Sequence, residues 1–133
     1  MEIWKTAFSG IIPEDKYQTQ LSNGEEKGLV IKLKGKKHEV LLKFGVIQAV
    51  RMLDEGIVQT DLYSSQQFDI LKKEGFKDVI YEVVHGEFEE QIRKISAGYV
   101  EVLKEKHYVI ITQNYNIDII TEWKPEIDIV GKN

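Results

Sequence analysis

Leu29-Val30-Ile31-Lys32-Leu33-Lys34-Gly35-Lys36-Lys37-His38-Glu39-Val40-Leu41-Leu42-Lys43-Phe44 is the stretch that decides the fold class. Leu29, Ile31 and Leu33 alternate with Val30, Lys32 and Lys34, and after Gly35-Lys36-Lys37 the residues Val40, Leu42 and Phe44 resume a period of two. Side chains along a strand point to opposite faces in turn, so this pattern predicts two antiparallel strands that share one apolar face across a tight turn. Gly45 follows at once, and Val46 to Leu53 continues with β-branched and apolar residues. A bulge at Gly45 would let one long strand bend and carry on until Asp54-Glu55-Gly56 ends it.

Upstream, Ile3 to Phe8 alternates as a first strand that stops before Pro13, and the polar segment from Glu14 to Lys27 reads as an exposed connection with a turn at Asn23-Gly24. Downstream, Ser64-Ser65-Gln66-Gln67 supplies caps for a short helix carrying Phe68 and Leu71 and stopped by Gly75. Val79 to Val84 reads as a strand. Phe88, Ile92 and Ile95 then fall on one helical face, Glu87, Glu89, Glu90, Arg93 and Lys94 on the other, with Gly98 placed to end the helix. Tyr108 to Thr112 and Ile117 to Trp123 form a second hairpin around Gln113-Asn114-Tyr115-Asn116, in which Ile117, Ile119, Thr121 and Trp123 alternate with Asp118, Ile120 and Glu122. Pro125 ends that strand.

The expected fold is α+β, a mainly antiparallel sheet of about five to seven strands with one longer and one shorter helix. It forms a single domain over residues 1–133, with an extended C-terminal tail from about residue 125. One helix is expected on the face that collects Leu29, Ile31, Leu42, Phe44, Ile110 and Ile119. With no cysteine there is no disulfide framework, thiolate zinc site or cysteine nucleophile. The N-terminus lacks the basic-then-apolar order of a signal peptide, and no run approaches the roughly 20 apolar residues of a membrane span. A cytoplasmic protein without membrane contact is expected.

The chain shows none of the glycine-rich phosphate loops, dinucleotide turns or serine elbows that carry known chemistries. His38, His85 and His107 belong to no compact ligand pattern, so neither metal, cofactor nor catalytic residues are expected. His85-Gly86-Glu87 sets an imidazole beside a carboxylate, as acid–base catalysis requires, but a turn or cap role suits this strand–helix junction better. His107 reads as structural.

Charge is unevenly spread. Lys27, Lys32, Lys34, Lys36, Lys37 and Lys43 stand against the single Glu39, which suits a solvated hairpin face guarded against aggregation. No aromatic residues interleave with these lysines to stack bases, and the overall charge is −4, so nucleic acid is not an expected partner. Asp54, Glu55, Asp118 and Glu122, with Asp61, Glu126 and Asp128, gather at strand ends and along the last hairpin, where they would keep the chain soluble or steer a basic partner.

Three groups of segments together resemble a family of small bacterial proteins encoded near secreted polymorphic toxins and regarded as their immunity proteins. The carrying residues are Val40-Leu41-Leu42-Lys43-Phe44 with Ala49-Val50-Arg51-Met52-Leu53-Asp54-Glu55-Gly56; Ile80-Tyr81-Glu82-Val83 ahead of the helix Phe88 to Ile95; and His107-Tyr108-Val109-Ile110-Ile111-Thr112-Gln113-Asn114 with Ile117-Asp118-Ile119-Ile120 and Pro125-Glu126-Ile127. Val50 departs from the pattern, which has an aromatic residue before the arginine. The blocks lie between residues 40 and 128. The resemblance implies a non-enzymatic protein that neutralises a cognate toxin by protein–protein contact, with Asp54, Glu55, Asp118 and Glu122 as contact residues. The alternative is a small-molecule binding or regulatory module with its pocket between the sheet and the helix of Phe88 and Ile92.

Overall fold

A computed structural model describes residues 2–54, 66–76, 78–96 and 105–131. In chain order these form β1 (Ile3–Thr6), β2 (Gln18–Gly24), β3 (Gly28–Lys34), β4 (His38–Gly45), β5 (Ala49–Asp54), α1 (Gln66–Lys73), β6 (Ile80–Val84), α2 (Glu87–Ile95), β7 (Lys106–Ile111), β8 (Tyr115–Thr121) and β9 (Glu126–Gly131). The α+β class holds, but the nine described strands exceed the expected five to seven and divide between two antiparallel sheets. One sheet has the order β1-β6-β7-β8-β5 and the other β2-β3-β4-β9.

The two additional strands, β2 and β9, lie at the edges of the four-stranded sheet. β2 falls in the segment expected as an exposed connection, yet it pairs with β3 from Gln18↔Lys34 to Gly24↔Gly28. The turn therefore comprises Glu25-Glu26-Lys27 rather than centring on Asn23-Gly24. β9 occupies the expected C-terminal tail and is held along β4 from Lys43↔Glu126 to His38↔Gly131.

The expected bend at Gly45 is present, and it moves the chain from one sheet to the other. β4 pairs with β9 in the four-stranded sheet and β5 with β8 in the five-stranded one, the two ladders ending at Lys43↔Glu126 and Ala49↔Ile120. Five residues intervene on each strand, so the register is kept round the corner and residues 38–54 and 115–131 form one bent antiparallel ribbon. Strands that switch sheets through bends are how face-to-face sheets are joined at a corner. Gly45 takes φ 72° there, a left-handed conformation that costs glycine little. Gly28 (φ 66°) lies against it so closely that a Cβ on Gly28 would stand 2.2 Å from the Gly45 carbonyl carbon.

A second tie closes the opposite end. Asn114 in the β7–β8 turn accepts from the Thr19 backbone N–H (2.9 Å) and donates to its carbonyl (3.4 Å), while the Thr19 and Thr112 hydroxyls lie 2.6 Å apart. The Gln113 N–H also donates to the Tyr17 carbonyl at 3.0 Å. A short stretch of the β2 edge is thereby occupied by a side-chain amide and a turn, which satisfies backbone groups an edge strand otherwise leaves unpaired.

Leu29, Ile31, Leu33, Val40, Leu42 and Phe44 from one sheet meet Ile80, Tyr108, Ile110, Ile117 and Ile119 from the other. The face expected to lie under a helix is therefore covered by a second sheet. Alternation puts Tyr81, Val83, Val109 and Ile120 on the reverse face of the five-stranded sheet, and the helices pack there: Phe68 of α1 with Trp4 and Tyr81, Phe88 of α2 with Ile120. The central strands β7 and β8 of that sheet are thereby buried on both faces. Among the described residues no helix is long and apolar enough to cross a membrane.

Candidate functional site

The chemistry-bearing side chains converge beneath α2. Arg51, Asp118 and His107 lie on the neighbouring strands β5, β8 and β7, with Arg51 opposite Asp118 in register and His107 one diagonal step away, opposite Ile120. Asp118 Oδ2 accepts from Arg51 Nη2 (2.8 Å) and Nε (3.0 Å), and its Oδ1 lies 2.8 Å from His107 Nε2. Asp118 is 0% exposed and His107 1%. The carboxylate thus divides its two oxygens between a guanidinium and an imidazole, which is how a buried acid has its lone pairs satisfied.

α2 closes over this group. The Phe88 ring lies 4.7 Å from the Arg51 guanidinium carbon, a cation–π contact, and its centroid is 6.0 Å from that of His107. Gly86, at the N-cap, approaches the imidazole so closely that a Cβ would come within 2.6 Å of His107 Nδ1. That nitrogen is buried without a hydrogen-bond partner among the described residues.

The helix brings its own electrostatics. Glu87, Glu89 and Glu90 occupy its first turn and Arg93 and Lys94 its last, the order that complements a helix dipole. Gly86 offers no side chain to cap the helix, and the cap comes from a distance: Glu2 Oε2 accepts from the Glu87 N–H at 3.3 Å while its Oε1 accepts from Trp4 Nε1 at 2.9 Å. Arg93 gathers Glu105 (3.2 Å), Glu89 (3.7 Å) and Glu90 (3.7 Å). Glu89, expected on the solvent face, is buried, and desolvation raises its pKa against the opposing pull of Arg93. Ile95, expected on the packed face with Phe88 and Ile92, is 76% exposed on the last turn.

A histidine oriented by a carboxylate is half of an acid–base relay, but such a relay needs a face that substrate reaches. His107 presents none: Asp118 takes one nitrogen, and the Gly86 backbone covers the other. The cluster is a polar clasp between sheet and helix. His85 is exposed with φ 61° where β6 turns into α2, in keeping with a turn role. Among the described residues no three or more histidine, aspartate and glutamate side chains gather as they would round a metal ion.

The four acidic residues expected at a contact surface are not brought together. Asp118 belongs to the buried clasp because α2 covers the sheet face on which it lies. Glu55 lies outside the described residues. Asp54, opposite Tyr115, and Glu122, which accepts from Gln48 Nε2 at 3.3 Å, stand at opposite ends of the β5–β8 pair, roughly 20 Å apart at strand spacing. Glu122 has a neighbour that charge patterning did not single out: Trp123 is 61% exposed on the outgoing arm of the ribbon corner, and Val46, at the matching position of the incoming arm, is 74% exposed. The signal in the sequence is a large aromatic at the end of an alternating run, directly before Lys124-Pro125.

A cleft of about 670 Å³ opens at the other end of the molecule, between the Asp15 segment, the β3–β4 turn and the residues that follow α1. Asp15 shapes it. Its carboxylate accepts from the backbone N–H groups of Lys37 (2.8 Å), Lys16 (2.7 Å), His38 (2.9 Å) and Lys36 (3.1 Å), and these bonds hold its pKa far below the usual carboxylate range.

Compared with protein-family models, with curated proteins and with solved structures, the chain matches none.

Proposed function

We propose that the chain is a non-catalytic binding protein that neutralises a cognate bacterial toxin in the cytoplasm by protein–protein contact, in the manner of an immunity protein. The observation that carries this reading is the exposed Trp123 at the ribbon corner, flanked by Val46 and Glu122. Tryptophan is enriched among residues that dominate binding energy, and a corner fixed by two paired strands presents it at little entropic cost. The buried clasp supports the same reading, since His107 and Asp118 are committed to each other and to α2. The resemblance of the segments between residues 40 and 128 supports it from the sequence.

Glu122 is the acidic residue placed beside this anchor and would meet a basic rim on the toxin; Asp54 marks a separate end of the molecule. The test is co-expression with the product of the adjacent gene, followed by co-purification and titration. A complex at micromolar concentration or tighter, together with relief of toxicity, is the expected result. A neighbouring gene that encodes no secreted toxin, or two proteins that fail to associate at that concentration, would remove the reading.

A further inference from the structure

The cleft beside Asp15 belongs neither to the buried clasp nor to the ribbon corner, and its lining divides by chemistry. Its apolar wall is made by Phe76 and Val79, from the connection between α1 and β6, and by Ile111 at the end of β7, each half-buried. Tyr17 stands behind them, 2% exposed, its hydroxyl donating to the Pro13 carbonyl at 2.6 Å. Phe76 is set by a left-handed backbone (φ 48°) directly after Gly75, and its ring is held edge-on to Phe68 at 5.4 Å between centroids. The wall is therefore preformed.

The rim is charged. Lys16, Lys36 and Lys37 line it and form no ion pair among the described residues, while Glu14 and Glu74 line it from the other side. Asp15 also borders the cleft and stays ionised, its carboxylate held by four backbone N–H groups and by His38 Nδ1 at 3.2 Å. Three lysines face three carboxylates over the whole lining, but at the β3–β4 turn the adjacent Lys36 and Lys37 stand against Asp15 alone, a local excess that suits one negative charge rather than two. At about 670 Å³ the space falls within the range of small-molecule sites, which are typically apolar with a few fixed polar groups.

We infer that this cleft binds a small amphipathic monoanion, its flat or branched apolar body against Phe76, Val79 and Ile111 and its carboxylate or sulfonate head at Lys36 and Lys37. The inference is independent of toxin neutralisation and concerns the opposite end of the molecule from Trp123.

The probe is 1-anilinonaphthalene-8-sulfonate, an apolar body with a single sulfonate, compared with uncharged N-phenyl-1-naphthylamine and with inorganic phosphate. The full-length chain is titrated by fluorescence, and methyl NMR shifts of Val79 and Ile111 locate the binding. The sulfonate is expected to bind at about 1:1 and to shift both methyl groups, the neutral analogue to bind about fivefold more weakly or worse, and phosphate to cause no shift there. Lys36→Gln with Lys37→Gln keeps the backbone N–H groups that hold Asp15, so the fold is retained, and it is expected to weaken the sulfonate about fivefold without affecting the neutral analogue. Val79→Glu is a second variant, expected to abolish both. Sulfonate affinity unchanged in the double lysine variant, equal affinity for the neutral analogue, or methyl shifts confined to residues outside the cleft would overturn the inference.

Discussion

His107 and Asp118 face each other diagonally across β7 and β8, Nε2 to Oδ1 at 2.8 Å, in a layer that neither sheet nor helix leaves open to water. A carboxylate in such a place is retained through its partners. Removing it strands a buried imidazole and a half-buried guanidinium, and removing one member of a buried pair is far costlier than replacing the whole pair by apolar groups.

Asp118→Ala is therefore expected to lower unfolding stability by about 3 kcal/mol, and Asp118→Asn, which keeps the shape, by less. Urea denaturation followed by far-UV circular dichroism measures both. A loss below about 1 kcal/mol for Asp118→Ala would mean that the clasp contributes little to the fold.

Asp15 gives the chain an acid-sensitive latch on the β3–β4 turn. Its folded pKa is depressed by the N–H groups of Lys37, Lys16, His38 and Lys36, so its contribution is complete above the unfolded value of about 3.9 and is lost as pH falls toward the lower folded value. Thermal melts of Asp15→Asn should show a lower Tm than wild type at pH 7 and a smaller difference on acidification below about pH 4. A constant difference from pH 7 to pH 2.5 would contradict that assignment.

Gly28 and Gly45 both have positive φ but differ in surroundings, which separates two costs. A Cβ at Gly28 meets the Gly45 backbone, whereas one at Gly45 meets open space. Gly45→Ala should cost about 1 kcal/mol, the conformational penalty alone, and Gly28→Ala clearly more, about 2 kcal/mol or above, because backbone must move. Equal losses in chemical denaturation would show that the corner yields easily.

Trp123→Ala tests the proposed contact surface directly. The side chain is mostly exposed, so stability should change by no more than about 0.5 kcal/mol. Affinity for the toxin should fall at least about tenfold, the scale of an interface anchor. Calorimetric titration beside a thermal melt reads both, and unchanged affinity would move the interface away from the ribbon corner.

The apolar alternation of β3 and β4, the bend at Gly45, the last hairpin and the positions of both helices were legible because each carries a strong period or a glycine where the backbone requires one. β2 and β9 were not. Gln18-Thr19-Gln20-Leu21-Ser22-Asn23-Gly24 buries only Thr19 fully, and an edge strand with one wet face and few contacts looks like a polar loop until its partner is known. Asp118 was misplaced for a related reason. Alternation along β8 separates it from Ile117 and Ile119, but only tertiary packing reveals that α2 dries the second face too. The lysine hairpin read correctly as a solvated surface, where Lys32 pairs with Glu39 at 3.4 Å and Lys43 with Asp128 at 2.6 Å.

The bent ribbon also sets the tempo at which this chain can fold. Every rung joins residues far apart in sequence, from 54 with 115 to 38 with 131, so none forms until the whole intervening segment has been drawn in. Hairpins such as β3–β4 and β7–β8 close over short loops and lead, while the rungs that join them across the corner wait on loop-closure entropy. Such high contact order places folding in the millisecond-to-second range typical of non-local β topologies. Until β9 docks, β4 exposes a bare apolar edge, and in that interval a second chain could pair where Glu126 to Gly131 belongs.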